Sequence, residues 1–145
     1  MRRSAGFTLI ELLVVISIIG VLATLVAANL NSARSRARDA ERKSDLKNIS
    51  TALRLYFNDN GTFPAVAAMP WDAEWSGNGG NTIYMSKLPN DPLPGQAYEY
   101  ELGPTGDTFI LTACLENASD AQGVTTVSTA YDVLCASSHW MFQIK

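Results

Sequence analysis

The sequence predicts an α+β protein: a long N-terminal α-helix, first transmembrane and then amphipathic, packed against a small C-terminal antiparallel β-sheet domain. Three observations lead there. Residues Phe7 to Ala28 form an unbroken apolar run whose one ionisable side chain is Glu11. No proline or glycine occurs between Val21 and Asn60, so nothing in that stretch obliges a helix to stop. From Tyr98 onward, short alternating segments are separated by turns rich in Gly, Pro and Asn, the pattern of a half-buried sheet.

The apolar run, read as helix at ~1.5 Å rise per residue, is about 33 Å long and crosses a bilayer. Its Val and Ile lower helix propensity slightly, but in lipid the helix is favoured because it satisfies its own backbone polar groups. Arg2 and Arg3 form a short basic head, expected on the cytoplasmic side. Glu11 needs a reason, since a charge at mid-bilayer costs about 2.5–3.5 kcal/mol on insertion scales. Two readings stand. One is a carboxylate near a helix N-terminus, favoured by the helix dipole. The other is an ion pair with an α-amino group freed at Phe7 by a cut after Gly6. Made between staggered subunits, that pair would set the axial register of packed rods.

Beyond Ala28 the pattern turns amphipathic without a break. Asn29, Asn31 and Ser32 mark the exit from lipid. Ala33, Ala37 and Ala40 recur at helical spacing, as do Leu46, Ile49, Leu53 and Tyr56. One helix is expected from Thr8 to Phe57, about 75 Å long at ~1.5 Å per residue. The Leu46–Tyr56 stripe is the face that carries the domain. Arg34, Arg36 and Arg38 read as a solvated or inter-subunit face balanced by Asp39, Glu41 and Asp45, with Asp39 and Lys43 as an exposed i,i+4 pair. Asn58-Asp59-Asn60-Gly61 ends the helix, and Pro64 blocks a restart. This phrase has the look of half a calcium loop, but the closing glutamate is missing, so it reads as a cap.

Residues 65–80 read as a loop-rich region, with Trp71 and Trp75 covering the helix stripe; a surface contact between subunits is the alternative. Ile83-Tyr84-Met85 reads as a short strand or a helical turn. Leu88 to Gly95 carries three prolines and is irregular. Tyr98–Leu102 alternates aromatic and acidic residues. Phe109–Glu116 is the best strand, with Phe109, Leu111, Ala113 and Leu115 on one side. Val124–Thr129 is a connection or strand, and Tyr131–Cys135 and Trp140–Ile144 are further strands. Cys114 and Cys135, the two cysteines of the chain, suggest one disulfide worth roughly 3 kcal/mol in the chain-entropy picture; two buried free thiols are the alternative.

A net charge of −3 makes nucleic acid no default partner. Ser137, Ser138 and His139 are contiguous, which is not a nucleophile–base geometry, and no phosphate loop or zinc-protease motif occurs. No enzyme activity, cofactor or metal is expected, and calcium has no support in the residues.

The stretch Gly6-Phe7-Thr8-Leu9-Ile10-Glu11-Leu12-Leu13-Val14-Val15 resembles the leader and helix start of type IV pilins and type II secretion pseudopilins. The resemblance implies the pilin fold, cleavage after Gly6 by a prepilin peptidase, N-methylation of Phe7, and filament assembly in which Glu11 takes part. It divides the chain into a leader (1–6), a filament-core helix (7–29), an amphipathic continuation (30–58) and an extracytoplasmic domain (59–145). It implies a single-pass protein of the bacterial inner membrane that passes into a pilus or pseudopilus. The partners it implies are copies of itself, other pilin-like subunits, and an assembly platform with a separate ATPase. Many pilins carry a proline about where Ala28 stands, so no kink is expected here. Tyr56-Phe57-Asn58-Asp59-Asn60-Gly61-Thr62-Phe63-Pro64 and Leu88-Pro89-Asn90-Asp91-Pro92 are similar to phrases of major pseudopilins. That group often ends in an acidic calcium-binding loop and lacks such a cysteine pair. The expectation is a subunit of a secretion pseudopilus; a surface pilin for adhesion, motility or DNA uptake, and a monomeric membrane-anchored binding module, are the alternatives.

Overall fold

The structure, a computed structural model, describes residues 7–77, 80–123, 135 and 141–144. It divides into two compact units, Met1–Ser35 and Arg36–Lys145. One α-helix, α1 (Leu9–Asn60), contributes to both. It ends three residues later than expected, at the predicted stop. Gly61 adopts φ +74, the left-handed conformation glycine tolerates, and its N–H donates to the Phe57 carbonyl at 2.7 Å. The Asn60 amide caps the Tyr56 carbonyl at 2.9 Å.

In the first unit, α1 is apolar all round, and every described residue from Phe7 to Arg34 is exposed. It is long and apolar enough to cross a membrane. Three of its polar side chains turn back on their own helix. Ser17 Oγ donates to the Leu13 carbonyl at 2.7 Å, Thr24 Oγ1 to Val21 at 2.8 Å, and Asn29 Nδ2 to Leu25 at 3.2 Å. No hydroxyl in this row asks anything of water, which suits a helix surrounded by hydrocarbon.

The second unit has its own core. The face of α1 carrying Leu46, Ile49, Ala52 and Leu53 is buried, as the spacing predicts. Two antiparallel sheets form with it. A two-stranded sheet pairs β1 (Trp75–Gly77) with β2 (Thr82–Met85). A three-stranded sheet runs β3 (Glu99–Leu102), β4 (Phe109–Cys114), β5 (Met141–Ile144), with β4 in the centre. Tyr100 lies opposite Leu111 and Leu102 opposite Phe109, while Leu111 also faces Ile144. Phe109, Leu111 and Ala113, then Leu115 beyond the strand, are buried, so the expected inner face of β4 is the observed one. Tyr98 and Tyr100 are buried beside them. Each fully buried leucine contributes roughly 1.5–3 kcal/mol.

The stretch expected to be loop-rich carries two short elements among its described residues. Val66–Ala68 forms a 3-10 turn, and Trp75–Gly77 is a strand. Trp75 is buried and stacks on Tyr56, centroids 5.6 Å apart, while Tyr84 meets Tyr56 edge-on at 5.2 Å. A Cβ at position 77 would lie 2.6 Å from the Tyr84 ring, so only glycine lets the tyrosine pack against this strand. Trp71 is half-buried against the core. A disulfide joins Cys114 at the end of β4 to Cys135, with Cα atoms 5.6 Å apart. The Val124–Thr129 segment, residues 131–134 of the expected Tyr131–Cys135 strand, His139 and Trp140 lie outside the described residues.

Candidate functional site

The residues singled out at the head of the chain occupy the first turn of α1. Gly6 lies outside the described residues. Phe7 is 76% exposed and immediately precedes the N-cap, Thr8. Glu11 sits three residues after Thr8 and closes a reciprocal cap. Its Oε2 accepts from the Thr8 backbone N–H at 2.8 Å and from the Thr8 hydroxyl at 2.7 Å. The Glu11 N–H in turn faces the Thr8 hydroxyl oxygen at 3.3 Å. This is a capping box, a Thr-x-x-Glu arrangement that serves orphan donors of the first turn. Before any cut the Phe7 nitrogen is a peptide amide, and among the described residues Thr8 alone holds the carboxylate. Around it Leu9, Ile10, Leu12 and Leu13 are all more than half exposed. A row of large apolar side chains with nothing against it is a surface built for lipid or for other helices.

A second constellation, in the other unit, was missed from the sequence. Arg42 is 1% exposed. Its Nε and one terminal nitrogen hold Asp91 bidentately at 2.7 and 2.9 Å. Its other terminal nitrogen donates to Asp39 and to Glu116, both at 2.8 Å. Arg38 grips Glu116 through two bonds of 2.7 and 2.5 Å. Asp39, also buried, accepts the backbone N–H groups of Glu116 at 2.9 Å and Asn117 at 2.8 Å. Lys43 pairs with Asp120. The expected solvated face is thus corrected at Arg38, Asp39 and Asp45, while Glu41 is exposed, and among the described residues the expected Asp39–Lys43 pair does not form. Arg34 and Arg36 remain exposed. The sequence signal was present but cryptic: Asp91 lies in the Leu-Pro-Asn-Asp-Pro phrase, where it also accepts the Leu93 N–H at 2.8 Å. That irregular loop presents a carboxylate to Arg42.

The electrostatics follow from this geometry. Arg38, and then Arg42, hold the Glu116 carboxyl down at about 2 against its burial. Lys43 likewise lowers Asp120. For Arg42 burial pulls downward, but the bonds to Asp91, Glu116 and Asp39 prevail and the guanidinium is raised. Asp45 is raised by burial, partly offset by the hydrogen bond it accepts from Tyr98 at 2.7 Å. Among the described residues no group of three His, Cys, Asp or Glu side chains gathers to hold a metal. Asp59 and Asn60 of the helix stop face the Tyr84 hydroxyl at 3.1 and 3.3 Å.

Residues 1–27 match the family described as the prokaryotic N-terminal methylation motif. The type II secretion system core protein G of Pseudomonas aeruginosa is 36% identical over 121 residues, covering 76% of this chain and 82% of that protein. The protein of the same name from Klebsiella pneumoniae is 36% identical over 124 residues (73% and 89%), and that from Vibrio cholerae is 33% identical over 134 (85% and 90%). The chain belongs to the type II secretion core protein G family. No solved structure matches it. For a core protein G the head of α1 is the stretch that the methylation motif covers, and the Arg42 cluster lies beyond it.

Proposed function

We propose that this protein is the major structural subunit of a type II secretion pseudopilus. It enters the inner membrane with its basic head in the cytoplasm and its globular unit outside. A prepilin peptidase cuts between Gly6 and Phe7, the new Phe7 amine is methylated, and the helices pack with copies of the chain and other pilin-like subunits into a filament. The role is mechanical; a separate ATPase on the assembly platform drives it. One observation carries the reading: the apolar surface of α1 is exposed at the described residues of the first unit while the second unit has a core of its own. Such a surface has no partner within its own unit, and burial among identical rods is what a filament core provides. The names of the relatives favour the secretion filament over a surface pilus.

Cleavage changes the site chemically. It converts the Phe7 nitrogen from an amide into a cation one helical turn from Glu11, and the carboxylate gains a partner it lacks in the uncut chain. Between staggered subunits that pair fixes register. Mass spectrometry of the native protein should show a chain beginning at Phe7 and carrying one added methyl. Gly6→Ser should retain residues 1–6, since a side chain crowds the scissile bond. Trimming of that variant as in the wild type would refute the cleavage assignment. Glu11→Leu should be trimmed yet fail to form fibres, and abundant fibres from it would remove the register role.

A further inference from the structure

The small β1–β2 sheet leaves an edge and a set of polar groups unused. Among the described residues β1 pairs with β2 alone, and its backbone groups that turn away from β2 meet no partner. Such an edge is a template for another extended chain. A cleft of about 310 Å³ lies there, lined by β1, by the preceding Glu74, and by Tyr56, Asn60, Pro64 and Pro70. Its lining has hydrogen-bonding capacity to spare. Trp75 is only 3% exposed, yet its indole N–H has no acceptor among the described residues. A buried indole ordinarily finds a partner, and leaving that donor bare is costly. The Glu74 carboxylate is exposed and meets neither a cation nor a donor among the described residues, and the Ser76 and Tyr56 hydroxyls are likewise unbonded there. Asn60 commits its amide nitrogen to the Tyr56 carbonyl and the Tyr84 hydroxyl and keeps its Oδ1 free.

We propose that this cleft is a peptide-binding site: an extended segment of a different polypeptide, carrying a lysine or arginine, adds to the free edge of β1 as a third strand. Strand addition supplies main-chain bonds, and the side chains around the edge supply selectivity. A guest carbonyl answers the Trp75 N–H. A guest cation answers Glu74, and the Asn60 Oδ1 and the hydroxyls accept from its remaining N–H groups. Pro64 and Pro70 carry no N–H, so these walls do not compete for the guest's carbonyls. β1 is three residues long, so the main-chain contact is short, and the indole and the carboxylate decide which segments bind. A second copy of this chain is a poor source for the guest. Among the described residues every lysine and arginine except Lys87 lies on α1, and a helix cannot add as a strand. Lys87 is held by Asp72 at 3.3 Å. Binding here needs no filament, so this site and the filament stand or fall separately.

The test uses the full chain in phospholipid nanodiscs, isotope-labelled for NMR, with the end-blocked peptide Val-Thr-Arg-Thr-Val-Thr as probe. The Trp75 indole signal, assigned with Trp75→Phe, and the Ser76 and Gly77 amides should shift with a midpoint of roughly 0.1–1 mM, while Leu111 and Ala113 of β4 do not move. Glu74→Gln should weaken binding about three-fold, as loss of one exposed ion pair does. Trp75→Phe, which removes the indole donor, should weaken it about five-fold. The peptide with glutamate in place of arginine should bind at least about ten-fold more weakly. A version with proline at alternate positions lacks ladder donors and should not bind. The site is overturned if the wild type shows no shift up to about 5 mM probe, or if the arginine and glutamate peptides bind alike. It is overturned as a strand-addition site if the proline version binds as well as the parent. If the Trp75 and Ser76 signals move with the protein's own concentration, and Glu74→Gln abolishes that movement, the occupant is a second copy and the assignment to a different polypeptide falls.

Discussion

Residues 9–34 and residues 38–45 lie on one helix and solve opposite problems. In the first stretch the apolar side chains are outside, and Ser17, Thr24 and Asn29 fold back on carbonyls of their own helix. In the second, Arg42 and Asp39 are inside and pair with each other, and the other partners of the stretch come from 49 to 78 positions away in sequence. The first stretch is complete as a helix but incomplete as a surface. The second is incomplete as a helix and becomes satisfied only when the rest of its unit folds onto it. Helix propensity does not distinguish the two; what differs is whether a side chain's demands are met locally, at a distance, or by other molecules.

Breaking the second stretch should have the larger effect on stability. Arg42→Ala leaves Asp39 and Asp91 buried without their cation and should cost about 3–5 kcal/mol, read from urea unfolding followed by tryptophan fluorescence. The same variant should insert into membranes as the wild type does. Next in size, reduction of Cys114–Cys135 should lower stability by about 3 kcal/mol, seen as a lower urea midpoint in reductant. Gly61→Ala forces a side chain into the left-handed stop and should cost about 1 kcal/mol by the same measurement. Leu22→Ala, at an exposed position in the first stretch, should change the unfolding of the second unit by less than about 0.5 kcal/mol. Its effect should appear instead as fewer or shorter filaments. Should Leu22→Ala destabilise the domain, or Arg42→Ala leave it intact, the division of labour along α1 would be wrong.

What could be read from the residues divides along the same line. The helix, its stop at Asn60-Gly61, the Leu46–Leu53 face and the buried side of β4 are written in short-range periodicity, and all are present. The disulfide followed from there being two cysteines. Arg42 was misread because a charged residue off the apolar stripe usually faces water, and spacing rules reach only three or four residues. Lys43 was given Asp39 as a partner by that same short reach. It took Asp120 because Asp39 was already engaged by Arg42 and two backbone amides. The β1 strand was hidden for a different reason: Trp75-Ser76-Gly77 is too short to show alternation, and its glycine looked like a loop breaker when it is the gap that admits a tyrosine ring. At the head of the chain the Thr8–Glu11 box was within reach of the sequence, since Thr-x-x-Glu before an apolar run is its ordinary signature.

The Arg38–Lys43 cluster also dictates where this protein can be shortened. A water-soluble fragment made by removing the greasy anchor must begin upstream of Arg38. A start chosen at the Leu46 stripe would keep the apolar core yet strand Asp91, Glu116 and Asp120 without a cation. Such a trimmed domain should express poorly or precipitate, whereas one beginning at Arg36 should behave as an autonomous, crystallisable body.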